Sequence, residues 1–162
     1  MPSVFPKPAH DHTHCVDEAL SSAERICRER GARFTDIRRE VLSFIWSSHE
    51  PVGAYEILAM MNNDVDTQVA PMTVYRGLDF LMEHGLVHRI ASRNAFVGCA
   101  HPDASHSGQF LICRECGRVA EINEDAINEA LRHSAKRAGF DVASPMIEIE
   151  GRCVDCRDTR HD

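Results

Sequence analysis

The stretch PMTVYRGLDFLMEHGLVHRIASRNAFVGC, residues 71–99, decides the fold. Pro71 suits a first helical position, where a missing N–H costs nothing, and Gly85 supplies a C-terminal stop after His84. Between them Val74, Leu78, Leu81 and Met82 share one apolar stripe. Arg76 and Glu83 lie on the opposite face, with Tyr75 at the flank. Two strand-like runs follow at 86–90 and 95–99, joined by a polar turn at Ser92, Arg93 and Asn94. A helix with an arginine on its open face, backed at once by a hairpin, predicts the recognition helix and wing of a winged helix-turn-helix domain.

Working backwards, three further helical patterns complete that domain. Residues 16–30 place Leu20, Ala23, Ile26 and Cys27 on one face before Gly31. Thr35 is a candidate N-cap for a second helix that turns Ile37, Val41, Leu42, Phe44 and Ile45 inward. A turn at 51–53 leads to a short helix at 55–61, and residues 62–70 are a polar connection. The Pro- and His-rich start, residues 1–15, has no periodicity and reads as a tail.

Working forwards, the texture changes at Cys99. A His-rich loop (100–108) precedes strands at 109–113 and 118–122, a helix at 124–138 and a last strand at 146–151. Ile127, Ala130, Leu131, Ser134 and Ala138 share one side of that helix. The expected class is α+β: a tail (1–15), a winged helix-turn-helix domain (16–98) and a small α+β domain (99–162). The second domain is too slight to rely on its core alone, which is where a structural metal helps.

Its cysteines supply the ligands. Cys113 and Cys116 form one C-x-x-C, and Cys153 and Cys156 form another. Each pair puts two thiolates on a tight turn, and two such turns complete a tetrahedron suited to zinc. The competing reading, a redox-active pair plus an incidental one, is less specific than the double motif. A looser set, His88, Cys99, His106 and Glu121, with His101 and Asp103 nearby, draws on both halves of the chain. Spacing alone fits either a metal site there or unrelated surface histidines, a buried Cys99 and a solvated Glu121. Cys27 reads as a core residue and Trp46 as a packing residue. His49, His84, His133 and His161 read as surface residues, and the His10, His12, His14 and Cys15 group as at most a weak metal trap.

Composition bounds the partners. The net charge is −7, yet Arg25, Arg28, Arg30, Arg33, Arg38 and Arg39 crowd residues 24–40, and DNA responds to a local face more than to net charge. No run is long and apolar enough to span a bilayer, and residues 1–15 lack a secretory apolar core, so a cytoplasmic location is expected. Enzyme readings find little support. No His-x-Glu accompanies the Cys pairs, as zinc deaminases require, and Cys113 lies between strands where a thioredoxin-like site needs a helix start. Neither a Gly-rich phosphate loop nor a small-molecule site is apparent.

Together RFTDIRREVL (33–42), TVYRGLDFL (73–81), GLVHRI (85–90), FLICRECG (110–117) and CVDC (153–156) resemble the ferric uptake regulator family, in its zinc-uptake branch. The resemblance covers about residues 17–157. It implies a homodimeric repressor of zinc-uptake genes that binds a palindromic operator on double-stranded DNA when zinc is bound. It implies two zinc ions per chain. The structural ligands would be Cys113, Cys116, Cys153 and Cys156, and the regulatory ligands His88, Cys99, His106 and Glu121. The segment CAHPDASHSGQFLIC (99–113) lacks the HHDH-type run of iron-sensing members. On such a scaffold Arg76 would contact guanine, Tyr55, Thr73 and Tyr75 phosphate or a thymine methyl, and Arg33 the backbone or minor groove.

Overall fold

The computed structural model describes residues 4–5, 11–63, 68–103 and 108–158. The described chain falls into two compact units that part after Asp103. Its class is the expected α+β: four helices and a hairpin, then a three-stranded sheet with its helices.

The first unit is built from α1 (His12–Glu29), α2 (Asp36–Trp46), α3 (Ala54–Met61), α4 (Pro71–Glu83), β1 (Val87–Ile90) and β2 (Ala95–Gly98). The apolar stripes meet in one core: Ala23, Ile26 and Cys27 of α1, Val41, Leu42 and Ile45 of α2, Ile57 of α3, and Val74, Leu78 and Leu81 of α4. Each fully buried Leu or Ile side chain contributes ~1.5–3 kcal/mol of transfer free energy. Burial raises the Cys27 thiol pKa, in keeping with its packing role. Gly77 lets α4 approach α2 closely, since a Cβ there would lie 3.4 Å from Val41 Cγ2. Between α3 and α4, the Asn62 amide donates to the Val69 carbonyl (3.2 Å) and its oxygen accepts from the Val69 N–H (2.6 Å).

The first helix starts earlier than the sequence suggests. Asp11 accepts from the Thr13 N–H at 2.9 Å and caps α1 at His12, so His12, His14 and Cys15 are helical and not part of a tail. The proline- and histidine-rich composition masked that cap. Thr35 does occupy the N-cap of α2, with extended backbone but no side-chain cap bond.

The hairpin pairs His88 with Val97 and Arg89 with Phe96, and Asn94 turns it in the left-handed region (φ 47°). Val52 bonds both ways to Phe96 and adds a short third rung. Cys99, assigned from sequence to the second domain, belongs to the first unit. Its N–H donates to the Leu86 carbonyl at 3.0 Å, which prolongs the hairpin ladder by one bond. Trp46 packs against this hairpin so closely that a Cβ on Gly98 would lie 2.2 Å from its indole.

The second unit comprises β3 (Gly108–Cys113), β4 (Val119–Ile122), α5 (Asp125–Arg137), β5 (Met146–Gly151) and α6 (Val154–Asp158). The sheet order is β4-β3-β5, antiparallel on one side of β3 and parallel on the other. Phe110 and Ile112 of β3 and Ala120 of β4 are buried. Gln109, also buried, docks the start of α5: its amide donates to the Glu124 carbonyl and Asn128, and its oxygen accepts from the Glu124 N–H. Of the expected apolar side of α5, Ile127 and Leu131 are half-buried, whereas Ala130, Ser134 and Ala138 are exposed. The short α6 had no sequence signal beyond the second Cys pair.

Candidate metal centre

Parallel pairing of β3 with β5 sets Cys113 beside Gly151, so the chain just past β5 returns to the turn that follows β3. That turn carries Cys116 and closes on Gly117 in the left-handed region (φ 74°), with the Gly117 N–H bonded to the Cys113 carbonyl. Cys153 precedes α6 and Cys156 lies on it. The four sulfurs all fall within 4.8 Å of one another, as the double motif predicts. Cys116 Sγ and Cys153 Sγ are 3.8 Å apart.

The electrostatics of this knuckle suit a cation. Burial pushes the Cys113 thiol up, but N–H groups of Cys116, Cys153 and Glu115 outweigh it and bring the pKa down to about 6. Cys156 is pushed up to about 12, first by its hydrogen bond with Cys153 and then by burial. The metal-free cluster thus holds a thiolate and resists carrying four. A divalent ion removes that conflict by neutralising the sulfurs together. The donor set, four thiolates on two tight turns, fits zinc.

Sequence reasoning missed Arg118. Its guanidinium is buried, donates from Nε to Cys116 Sγ (3.2 Å) and from Nη2 to Cys153 Sγ (3.4 Å), and meets Asp155 Oδ2 at 2.7 Å. Asp155 chiefly, then Cys116, raise its pKa further above the usual arginine range. The only signal was an arginine two residues beyond a cysteine, which is not specific.

The second ligand set is described only in part. His88 is the second residue of β1, and its cross-strand partner Val97 stands two residues before Cys99. The two therefore share a face as diagonal neighbours. Their ligand atoms lie within 4.8 Å of each other. Glu121 lies on β4 in the second unit. His106 is outside the described residues, as are His10 and His161. Asp103 is gripped by Arg25 Nη2, at 2.6 and 2.7 Å. Among the described residues neither it nor His101 joins a metal-ligating group.

The nucleic-acid candidates lie on the first unit. Arg76 is exposed on α4, Tyr75 is 38% and Tyr55 73% exposed, and Thr73 is half-buried in the first turn of α4. Tyr55 and Tyr75 line one cleft of about 290 Å³ with Asp79 and Arg89. The Glu56 carboxylate accepts from the Gly53 N–H at 2.7 Å and fixes the start of α3. The arginine tract is less open than its composition implies. Arg25 pairs with Asp103 and Glu29, and Arg28 and Arg39 both face Glu24. Arg30 donates to the His84 carbonyl, and Arg38 stacks on Phe80 and donates to the Arg33 carbonyl. Arg33 itself is exposed.

The model of the ferric uptake regulator family matches residues 29–150. The chain is 36% identical over 142 residues to the zinc uptake regulation protein of Escherichia coli K12, covering 87% of this chain and 82% of that one. A solved zinc uptake regulator complexed with zinc and DNA superposes with a TM-score of 0.82 at 35% identity, over 88% of this chain and 95% of that one. Holo XcZur gives 0.79 at 42% identity, over 86% and 97%.

Proposed function

The chain belongs to the ferric uptake regulator family, and from that premise we propose that it is a zinc-responsive repressor of zinc-uptake genes. One observation carries the zinc dependence: the imidazole of His88 and the thiol of Cys99 sit as diagonal neighbours on the wing hairpin. A metal ligand pair on the element behind the recognition helix makes occupancy and DNA geometry interdependent. Likeness to a zinc uptake regulator bound to zinc and DNA supports the same reading.

In this reading the chain takes two zinc ions. Cys113, Cys116, Cys153 and Cys156 hold the structural one, with Arg118 balancing the thiolate charge. His88, Cys99, His106 and Glu121 hold the regulatory one. Zinc supplies a cross-link among thiolate, imidazole and carboxylate donors. Because these ligands come from both halves of the sequence, they restrict how freely the winged helix orients. Metal and DNA then favour the same state, and each tightens binding of the other. Arg76 on α4 reads guanine, Tyr55, Thr73 and Tyr75 contact phosphate or a thymine methyl, and Arg33 reaches backbone or minor groove.

Two copies acting together would read a palindromic operator. Support for pairing comes from the second unit, where β5 is an edge strand and Phe140, Met146 and Ile149 are 66%, 50% and 42% exposed. The protein acts in the cytoplasm as a regulator and not as an enzyme; no helix among the described residues is long and apolar enough to cross a membrane.

The test is a DNA-binding titration at buffered free zinc, using a palindromic duplex selected from a random pool at high zinc. Wild type gains affinity as free zinc rises, whereas Cys99→Ser stays folded and loses the response. A Cys99→Ser variant that responds like wild type would remove Cys99 from the regulatory set. Restoration of binding by iron or manganese, but not zinc, would overturn the zinc assignment.

A further inference from the structure

We propose that His12, Cys15 and His49 form a further, exchangeable zinc site on the winged-helix unit. It shares no ligand with the Cys₄ knuckle or with the regulatory set.

The cap at Asp11 sets the first turn of α1, and within that turn His12 and Cys15 are three residues apart, on one face. His49 follows the end of α2 at Trp46. The buried packing of Ala23, Ile26 and Cys27 with Val41, Leu42 and Ile45 fixes α1 on α2, so His12 and Cys15 stand on a rigid helix and His49 follows three residues after the end of the helix packed against it. One imidazole nitrogen from each histidine and the Cys15 sulfur all lie within 4.8 Å of one another. The His12 and His49 rings approach to 4.8 Å between centroids at an interplanar angle of 50°. Two imidazoles and one thiol so gathered, with His49 at least 34 residues from the other two in sequence, make a ligand set and not a chance surface pair.

The chemistry narrows the metal. Two neutral imidazoles with a thiolate form a borderline-soft donor set that suits zinc and discriminates against magnesium and calcium. Three protein ligands leave a fourth position for water, which is the arrangement of exchangeable zinc. All three residues are half-buried, so the site is held yet reachable. Cys15 also lines a cavity of about 550 Å³ with Trp46 and Cys99, which gives an ion an entry path. One thiolate neutralises less charge than four, so this site fills at higher free zinc than the knuckle.

The experiment is zinc content of the full chain after equilibrium dialysis across a series of buffered free-zinc concentrations. Wild type reaches a plateau about one equivalent per chain above that of His12→Ala/His49→Ala, and of Cys15→Ser, while His14→Ala matches wild type. Cobalt substitution gives an independent readout. Wild type minus Cys15→Ser shows a sulfur-to-cobalt charge-transfer band, and His49→Ala loses about one equivalent of tetrahedral ligand-field absorption. His49 lies outside every helix and strand, so that variant guards against loss of signal through misfolding, and circular dichroism verifies each one. Equal plateaus in wild type and the His12/His49 double variant overturn the proposal. So does an equal loss in His14→Ala, which would mean diffuse binding by histidines of α1.

Discussion

Arg118 brings a full positive charge to sulfurs that would otherwise face one another across less than 5 Å, and it is itself held by Asp155. Groups of this kind around a metal typically tune affinity by about 10- to 100-fold. Arg118→Met should therefore weaken zinc retention by about that factor, measured by competition with a chromophoric chelator, with the four cysteines intact. A second residue-scale expectation concerns Gly98, where a methyl group would meet the Trp46 indole at 2.2 Å. The indole is rigid and cannot yield as a flexible side chain would, so Gly98→Ala should cost about 1–3 kcal/mol of stability. Urea denaturation reads that loss directly. At this scale the sequence was uneven. The Cys pairs were legible because two residues between sulfurs is a local geometric rule. Arg118 was not, because what gives it meaning is a partner 37 positions away. His49 read as a surface residue for the same reason: its neighbours belong to another helix.

Helices α2, α3 and α4, the hairpin and β5 were readable because caps, glycine stops and apolar periods agreed with one another. The start of α1 was hidden, since Asp11 caps a helix inside a segment whose composition suggests a tail. On α5 the period was correct but the burial was not. A stripe drawn for a core is only half covered within one chain, and no pattern in a single sequence says what covers the remainder. The arginine tract shows the opposite limit. Its residues were plain, but their pairing with Glu24, Glu29 and Asp103 depends on how α1 and α2 pack. In the proposed reading this shifts the weight of DNA recognition onto α4. Arg76→Ala should lower operator affinity by about 1–3 kcal/mol and relax the base preference at one position of each half-site. Arg33→Ala should weaken all sequences alike and flatten the salt dependence. Anisotropy titrations over a duplex series at two salt concentrations distinguish the two outcomes.

Taken whole, the molecule distributes its stability unequally. The first unit closes a core across four helices and a hairpin, whereas the second has a thin sheet with four sulfurs gathered beyond its strand ends. Removing metal with a strong chelator should therefore raise amide hydrogen exchange across β3, β5 and α6, while α2 and α4 keep their protection. Uniform loss of protection in both units would show that the knuckle stabilises the whole chain. The crowding of the four sulfurs has a consequence of another kind. With Cys116 and Cys153 only 3.8 Å apart and Cys113 titrating near 6, the emptied knuckle holds a nucleophilic thiolate beside ready partners. A two-electron oxidant would convert that state into a disulfide and expel the metal's place along with it. Starvation for metal would then expose the knuckle to an oxidant, and the two together would leave a mark on the protein that only a reductant could erase.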